Sequence, residues 1–155
     1  MTGRRLGVLH RADDGLVIGD PGRRHLLLTT ETLVYREHTT VVGQYAWDEL
    51  DVILIEVPTS RFRFSGVVAG LITAIAVALI MESPDIGPDD GTVSITSEGS
   101  SARLPLSRHH AGGYWERGVV VTQRLVDRLV TDPASRELLH RPDDLLRSLI
   151  TAARR

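Results

Sequence analysis

The chain has 155 residues, 42% hydrophobic and 25% charged, with 18 Lys plus Arg against 20 Asp plus Glu for a formal net charge of −2. This is the usage of one folded domain, far from the charge-biased composition of disordered chains, and it gives no global pull toward nucleic acid, so no nucleic-acid partner is expected. The absence of cysteine excludes thiol nucleophiles, disulfides and thiolate metal sites, and the N-terminal MTGRRLGVLHRADDG lacks an apolar run of signal-peptide length, so a cytoplasmic protein is expected.

In chain order, LGVLH and GLVIG flank Ala12-Asp13-Asp14-Gly15, whose Asp-Gly pair predicts a hairpin turn. A second turn, Gly19-Asp20-Pro21-Gly22, leads into Leu26 to Thr29 and Thr32 to Arg36, two strands around Thr30-Glu31 or one strand with a bend. Beyond His38 to Gly43, β-branched and apolar residues from Leu50 to Val57 predict a further strand that ends at Pro58, which cannot donate to a ladder. The first sixty residues therefore outline an antiparallel meander.

Ser65 to Met81, SGVVAGLITAIAVALIM, carries no charge. Its Ala and Leu content favours a helix, which over Val67 to Met81 spans roughly 22 Å, short of the roughly 30 Å hydrocarbon core of a bilayer. Gly66, Gly70, Ala74 and Ala78 recur at every fourth position and leave one face smooth enough for close backbone approach, which fits a core helix, a dimer helix or a membrane-inserted or re-entrant segment; a buried strand or strand pair is the remaining reading of so short an apolar run. Arg61 and Arg63 precede the block and Glu82 and Asp85 follow it, an asymmetry that places the N-terminal side in the cytoplasm if the block spans. Against spanning, a single crossing would separate strands expected to share one sheet.

Thr92 to Thr96 and Ala102 to Leu106 alternate around Ser97-Glu98-Gly99-Ser100-Ser101 and predict a hairpin with Val93, Ile95, Leu104 and Leu106 inward. After Gly112-Gly113 the period becomes helical, with Trp115, Val119, Leu125, Val126, Leu129 and Val130 on one stripe and Arg117, Gln123, Arg124, Asp127 and Arg128 opposite. Asp132-Pro133 and Arg141-Pro142-Asp143-Asp144 open two short helices with Leu138, Leu139, Leu145, Leu146, Leu149 and Ile150 on the buried side. Residues 131–155 thus form a helical C-terminal tail to a unit covering 1–130, interrupted by the apolar segment 65–81.

Within this order, LLLTTETLVYRE (Leu26 to Glu37) followed by AWDELDVILIE (Ala46 to Glu56) resembles the bacterial pleckstrin-homology-like domain, with its strand of the form L-T-x-x-x-L-x-Y-R and a tryptophan and an acidic residue opening the next strand. The resemblance implies an α+β fold, an antiparallel, partly open barrel or sheet capped by the amphipathic helix that starts near Trp115, with the apolar helix as an insertion. It implies no catalysis and no cofactor, and family members bind proteins, associate with lipid or oligomerise.

The residues themselves offer no catalytic set. His109-His110 lack a helical partner to complete a metal site, Glu98-Gly99-Ser100-Ser101 is a hairpin tip rather than a nucleophile elbow, and no phosphate-cradling glycine motif occurs. The carboxylates at Asp13-Asp14, Asp85 to Asp90 and Asp143-Asp144 lack the alternation of a calcium loop. Trp47 and Trp115 are expected as core anchors. Arg4, Arg5, Arg23 and Arg24 are the candidate rim for an anion or lipid headgroup, offset by Asp13, Asp14 and Asp20. The expected function is a non-enzymatic binding or scaffolding module that self-associates or docks a protein partner through the apolar helix and a barrel edge. The alternative is a membrane-associated protein whose residues 65–81 meet lipid while the arginines meet headgroups.

Overall fold

The computed structural model describes residues 5–59, 91–107 and 114–155. Short apolar runs separated by tight turns fold into a continuous antiparallel meander: β1 (Arg5–Leu6), β2 (Leu9–Ala12), β3 (Gly15–Gly19), β4 (Arg24–Leu28), β5 (Thr32–Glu37) and β6 (Thr40–Ala46) lie in sequence order in one six-stranded sheet. A 3₁₀ turn at Trp47–Glu49 swings the chain into a second sheet of β7 (Leu50–Glu56), β8 (Gly91–Ser97) and β9 (Ser100–Leu106). Three helical elements follow, α1 (Glu116–Thr131), a 3₁₀ helix (Pro133–His140) and α2 (Pro142–Ala153). The fold is therefore α+β, and among the described residues it has two antiparallel sheets and no closed barrel. Segment 65–81, with Gly66, Gly70, Ala74 and Ala78, lies outside the described residues.

Alternation along the strands decides what is buried. Leu16, Ile18, Leu26, Leu28, Leu33 and Tyr35 of the large sheet and Ile53, Ile55, Val93, Ile95 and Leu106 of the small one form a single core with Leu125, Val126 and Leu129 of α1. Leu139, Leu145, Leu146 and Ala153 of the C-terminal tail belong to the same core. Asp132 caps the 3₁₀ helix by accepting from Ala134 N at 3.1 Å and from the Ser135 hydroxyl. The Ser135 bond is the main reason its carboxyl sits below the usual carboxylate range.

The two sheets are stitched where β9 ends. Asp20 N donates to Ser107 O at 2.9 Å, Ser107 N donates to Arg24 O at 3.0 Å, and the Tyr35 hydroxyl donates to Pro105 O at 2.7 Å. Burial pushes the Tyr35 phenol up to about 12, so it remains a donor throughout the physiological range.

The free edge of β7 is closed by a side chain. Gln123 on α1 accepts from Ile55 N at 2.9 Å and donates to Ile53 O at 2.7 Å, supplying the donor and acceptor of a missing neighbour strand, while its amide nitrogen also donates to Asp127 at 2.8 Å. An unpaired edge is a template for another chain, and here the helix removes it. Gln123→Leu retains the volume but strands Ile53 O and Ile55 N against an apolar side chain. We expect a loss of about 2–3 kcal/mol in urea unfolding, because a buried unsatisfied backbone group costs about 1–3 kcal/mol.

Several sequence expectations shift in detail. The hairpin turn is made by Asp13-Asp14, with Gly15 already paired to Ala12 as the first residue of β3. A small hairpin of Leu6 and Leu9 precedes it, with Gly7 at φ +56. β6 occupies Thr40–Ala46, where no strand is predicted. Trp115 and Leu138, both expected in the core, are exposed. Trp115 is the N-cap residue of α1 and stands before the helical phase begins. Leu138 and Leu139 are successive positions on a helix, about 100–120° apart, so only one, Leu139, faces inward.

Candidate interaction surface

Of the candidate rim, Arg5, Arg23 and Arg24 lie among the described residues, with Arg5 on β1, Arg24 at the start of β4 and Arg23 just before it. Arg5 lies opposite His10, in the row that continues through Val17 to Leu27, and Arg24 is three residues further along β4. At about 4.8 Å per strand and 3.4 Å per residue, Arg5 and Arg24 stand about 18 Å apart along the sheet. Arg24 faces Glu37 across the β4–β5 pair, with Nε 3.5 Å from the carboxylate, and Arg23 is exposed in the preceding turn. Arg4 lies outside the described residues, as do His109-His110 and Asp85 to Asp90. His25, beside Arg36 on the next strand, is buried and directs Nδ1 to Arg23 O at 3.3 Å. Desolvation holds its pKa below the ordinary value, so it is neutral at pH 7.

Among the described residues no group of three or more His, Cys, Asp or Glu side chains is placed to hold a metal ion. Asp13 and Asp14 point to solvent, and Asp143 in the first turn of α2 pairs with Arg11 at 3.1 Å. A surface concavity of about 330 Å³ on α2 is lined by Arg147, Ser148, Thr151, Ala152 and Arg155. It gathers no buried polar group and no residue from another described element, so it offers nothing that would fix a ligand's orientation.

The exposed apolar side chains are distributed less evenly. Four of the seven large ones among the described residues, Val52 (56% exposed), Leu54 (44%), Trp115 (42%) and Val120 (43%), fall on β7 and the start of α1, the two elements joined by Gln123. Their orientation follows from the local structure. Ile53 and Ile55 occupy the inward positions of β7, so Val52 and Leu54 must point outward. On α1, Leu125, Val126 and Leu129 take the core side, leaving the Glu116, Val120, Arg124 stripe at i, i+4 and i+8 toward solvent. The bridge of Thr59 to Tyr114 fixes where helix and strand meet.

Next to Leu54 on the outer face of the small sheet is a polar cluster. Glu56 accepts from the Thr92 hydroxyl at 3.2 Å and from Arg103 at 3.3 Å, and Arg103 also donates to the Thr92 hydroxyl at 3.2 Å, while its Nε has no partner. The surface thus has an apolar centre with a charged border, the layout of protein contact sites. Of the residues of this surface the sequence singles out Trp115, as a core anchor, and Gln123 and Arg124, as positions on a polar helix face. The available signal is the unbroken apolar run of β7, Val52 to Ile55, which alternates nothing and so implies an apolar residue on each face.

No protein-family model, curated protein or solved structure matches the chain. No helix among the described residues is long and apolar enough to cross a membrane.

Proposed function

We propose that this chain is a non-enzymatic binding module of pleckstrin-homology-like architecture that self-associates through the surface where β7 meets α1. The observation that carries the reading is the concentration of exposed apolar side chains, Val52, Leu54, Trp115 and Val120, on these two adjoining elements. Because Gln123 closes the β7 edge, contact is side to side, through side chains, and not by strand addition.

A second copy is the favoured occupant on grounds of charge. In an antiparallel pairing of two α1 helices about a two-fold axis at Val120, Glu116 of each copy lies opposite Arg124 of the other, and both are solvent-accessible on the same stripe. Such an isologous arrangement repeats every favourable contact twice.

Sedimentation of the purified chain up to roughly 0.5 mM is expected to show a monomer–dimer equilibrium. Val120→Asp is expected to weaken it at least about tenfold, equivalent to about 1.4 kcal/mol. Glu116→Arg should weaken it as well, and adding Arg124→Glu to that variant should restore it. A wild-type chain that stays monomeric over the range, or a double variant no tighter than the single one, defeats the reading.

A further inference from the structure

Five polar side chains among the described residues are buried, His25, Thr92, Ser107, Thr122 and Ser135, and of these His25, only 4% exposed, is the one that titrates near neutral pH. Its position in the fold is particular. His25 and Gly19 are the register pair that ends the β3–β4 ladder on the turn side, and the residues just beyond them, Asp20 and Arg24, are the two that hold the end of β9. Asp20 N donates to Ser107 O at 2.9 Å, Ser107 N donates to Arg24 O at 3.0 Å, and Arg24 N donates to the Ser107 hydroxyl at 3.4 Å. The junction of the two sheets therefore lies one residue from a buried histidine.

The surroundings of the imidazole oppose a second proton. Nδ1 stands 3.3 Å from Arg23 O, which can only accept, so the neutral ring carries its proton on Nδ1 and takes the next on Nε2. The same carbonyl already accepts from His38 N at 2.6 Å. Arg36 faces His25 directly across the β4–β5 pair, with its Nε buried and without a hydrogen-bond partner, so a charge of the same sign as an imidazolium stands beside the ring. The acids nearby are engaged elsewhere: Asp20 accepts from Gly22 N at 2.9 Å within its own turn, and Glu37 pairs with Arg24 on the opposite face of β5. Leu106 and Ser107, at the end of β9, bring no charge.

We propose that His25 is a pH-sensitive latch on the junction of the two sheets: on taking up a proton it releases the β3–β4 turn from Ser107, while the rest of both sheets and α1 stay folded. The direction in pH follows from its environment. Burial above all, with Arg36 adding to it, makes the ring harder to protonate in the closed state than in the open one. The closed junction is therefore favoured above the ordinary histidine pKa of about 6.5, and that contribution is lost as the pH falls toward the lowered value of the closed state.

Amide hydrogen exchange of the full chain, followed residue by residue by NMR at pH 7 and pH 5 and corrected for intrinsic rates, tests this. Protection of Asp20 N and Ser107 N is expected to fall at least about fivefold at pH 5, within the limit of about tenfold per pH unit for one proton, while Ile95 N in β8 and Leu125 N in α1 change less than twofold. His25→Gln should make the junction amides indifferent to pH over this range. Arg36→Gln removes a guanidinium whose Nε bonds nothing, keeps His25, and should make the fall smaller, because the like charge is gone. A wild-type chain whose junction amides do not lose protection, an equal loss at Ile95 and Leu125, a fall that persists in His25→Gln, or one as large in Arg36→Gln as in wild type each overturns the proposal. None of these outcomes depends on whether α1 mediates self-association.

Discussion

Trp47→Ala should lower the stability of this protein by about 3–5 kcal/mol, the cost of deleting a buried large aromatic side chain and leaving its cavity. The residue is 1% exposed and sits at the turn that carries the chain from the large sheet into the small one. Three separate parts of the fold meet on its ring. Its indole nitrogen donates to Thr29 O at 2.9 Å, tying the turn to the end of β4. The guanidinium of Arg136 stands 6.0 Å from the ring centroid, at the outer limit for a cation–π contact. Arg136 in turn donates to Leu129 O at 2.9 Å, to Val130 O at 3.3 Å and to Asp48 at 2.7 Å. Two of those acceptors are carbonyls in the last turn of α1, where helix carbonyls lack internal partners and a cation is favoured by the helix dipole. Removing the indole therefore opens a cavity and loosens the contact between the helical tail and the β7 entry turn. For a chain of this length 3–5 kcal/mol corresponds to a fall in Tm of roughly 10 °C or more. Trp47→Phe separates the contributions, since it keeps most of the packing and loses the bond to Thr29 O, with an expected cost nearer 1–3 kcal/mol. Urea titrations followed by circular dichroism decide the matter, and a Trp47→Ala variant within 1 kcal/mol of wild type would refute the assignment.

Elements with a strong two-residue period were legible in the sequence. The hairpin of β8 and β9 is the clearest case, with Val93 opposite Leu104 and Ile95 opposite Ala102, inward as the alternation requires. The stripe of α1 was equally legible from Leu125 to Leu129. β6 was not, because its two valines are adjacent, both are exposed, and a register shift against Tyr35 and Arg36 disrupts the alternation there. An edge strand wetted on both faces carries no hydrophobic period to read. Gln123 and Arg136 were hidden for a different reason. Each is a polar residue on a helix, indistinguishable in sequence from a solvated one, and its role comes from backbone groups 68 to 70 residues away for Gln123 and from Asp48, 88 residues away, for Arg136. The buried row of Val17, Leu27 and Val34 on the other face of the large sheet had a signal that alternation obscures. Leu16-Val17-Ile18, Leu26-Leu27-Leu28 and Leu33-Val34-Tyr35 are unbroken apolar triplets, and a strand that is apolar at every position is buried on both faces.

Gly15→Ala is expected to be comparably severe, through the backbone and not through packing. The Asp14-Gly15 pair suggests a turn in which glycine is one of the two central residues, and such a site tolerates asparagine or aspartate at modest cost. The structure assigns the glycine another task. Asp13 and Asp14 make the turn, and Gly15 is the first residue of β3, paired with Ala12, with φ at +151. That conformation is open essentially to glycine alone. A Cβ added there would lie 1.9 Å from Leu28 O on the neighbouring strand, well inside contact distance and against backbone, which cannot rotate away. Relief requires β3 and β4 to separate at Leu16 and Leu28, two residues buried completely in the core. Strain at such a φ costs about 1–3 kcal/mol, and the clash adds to it. The expected loss is at least about 3 kcal/mol, measured by urea unfolding or seen as failure to accumulate soluble protein. The control is Gly99→Ala at the β8–β9 hairpin tip, where φ is +80 but nothing lies within 4 Å of the added Cβ, so only the conformational cost remains, about 1–2 kcal/mol. Equal losses at the two positions would mean that the close approach of Leu28 O to Gly15 does not constrain the sheet.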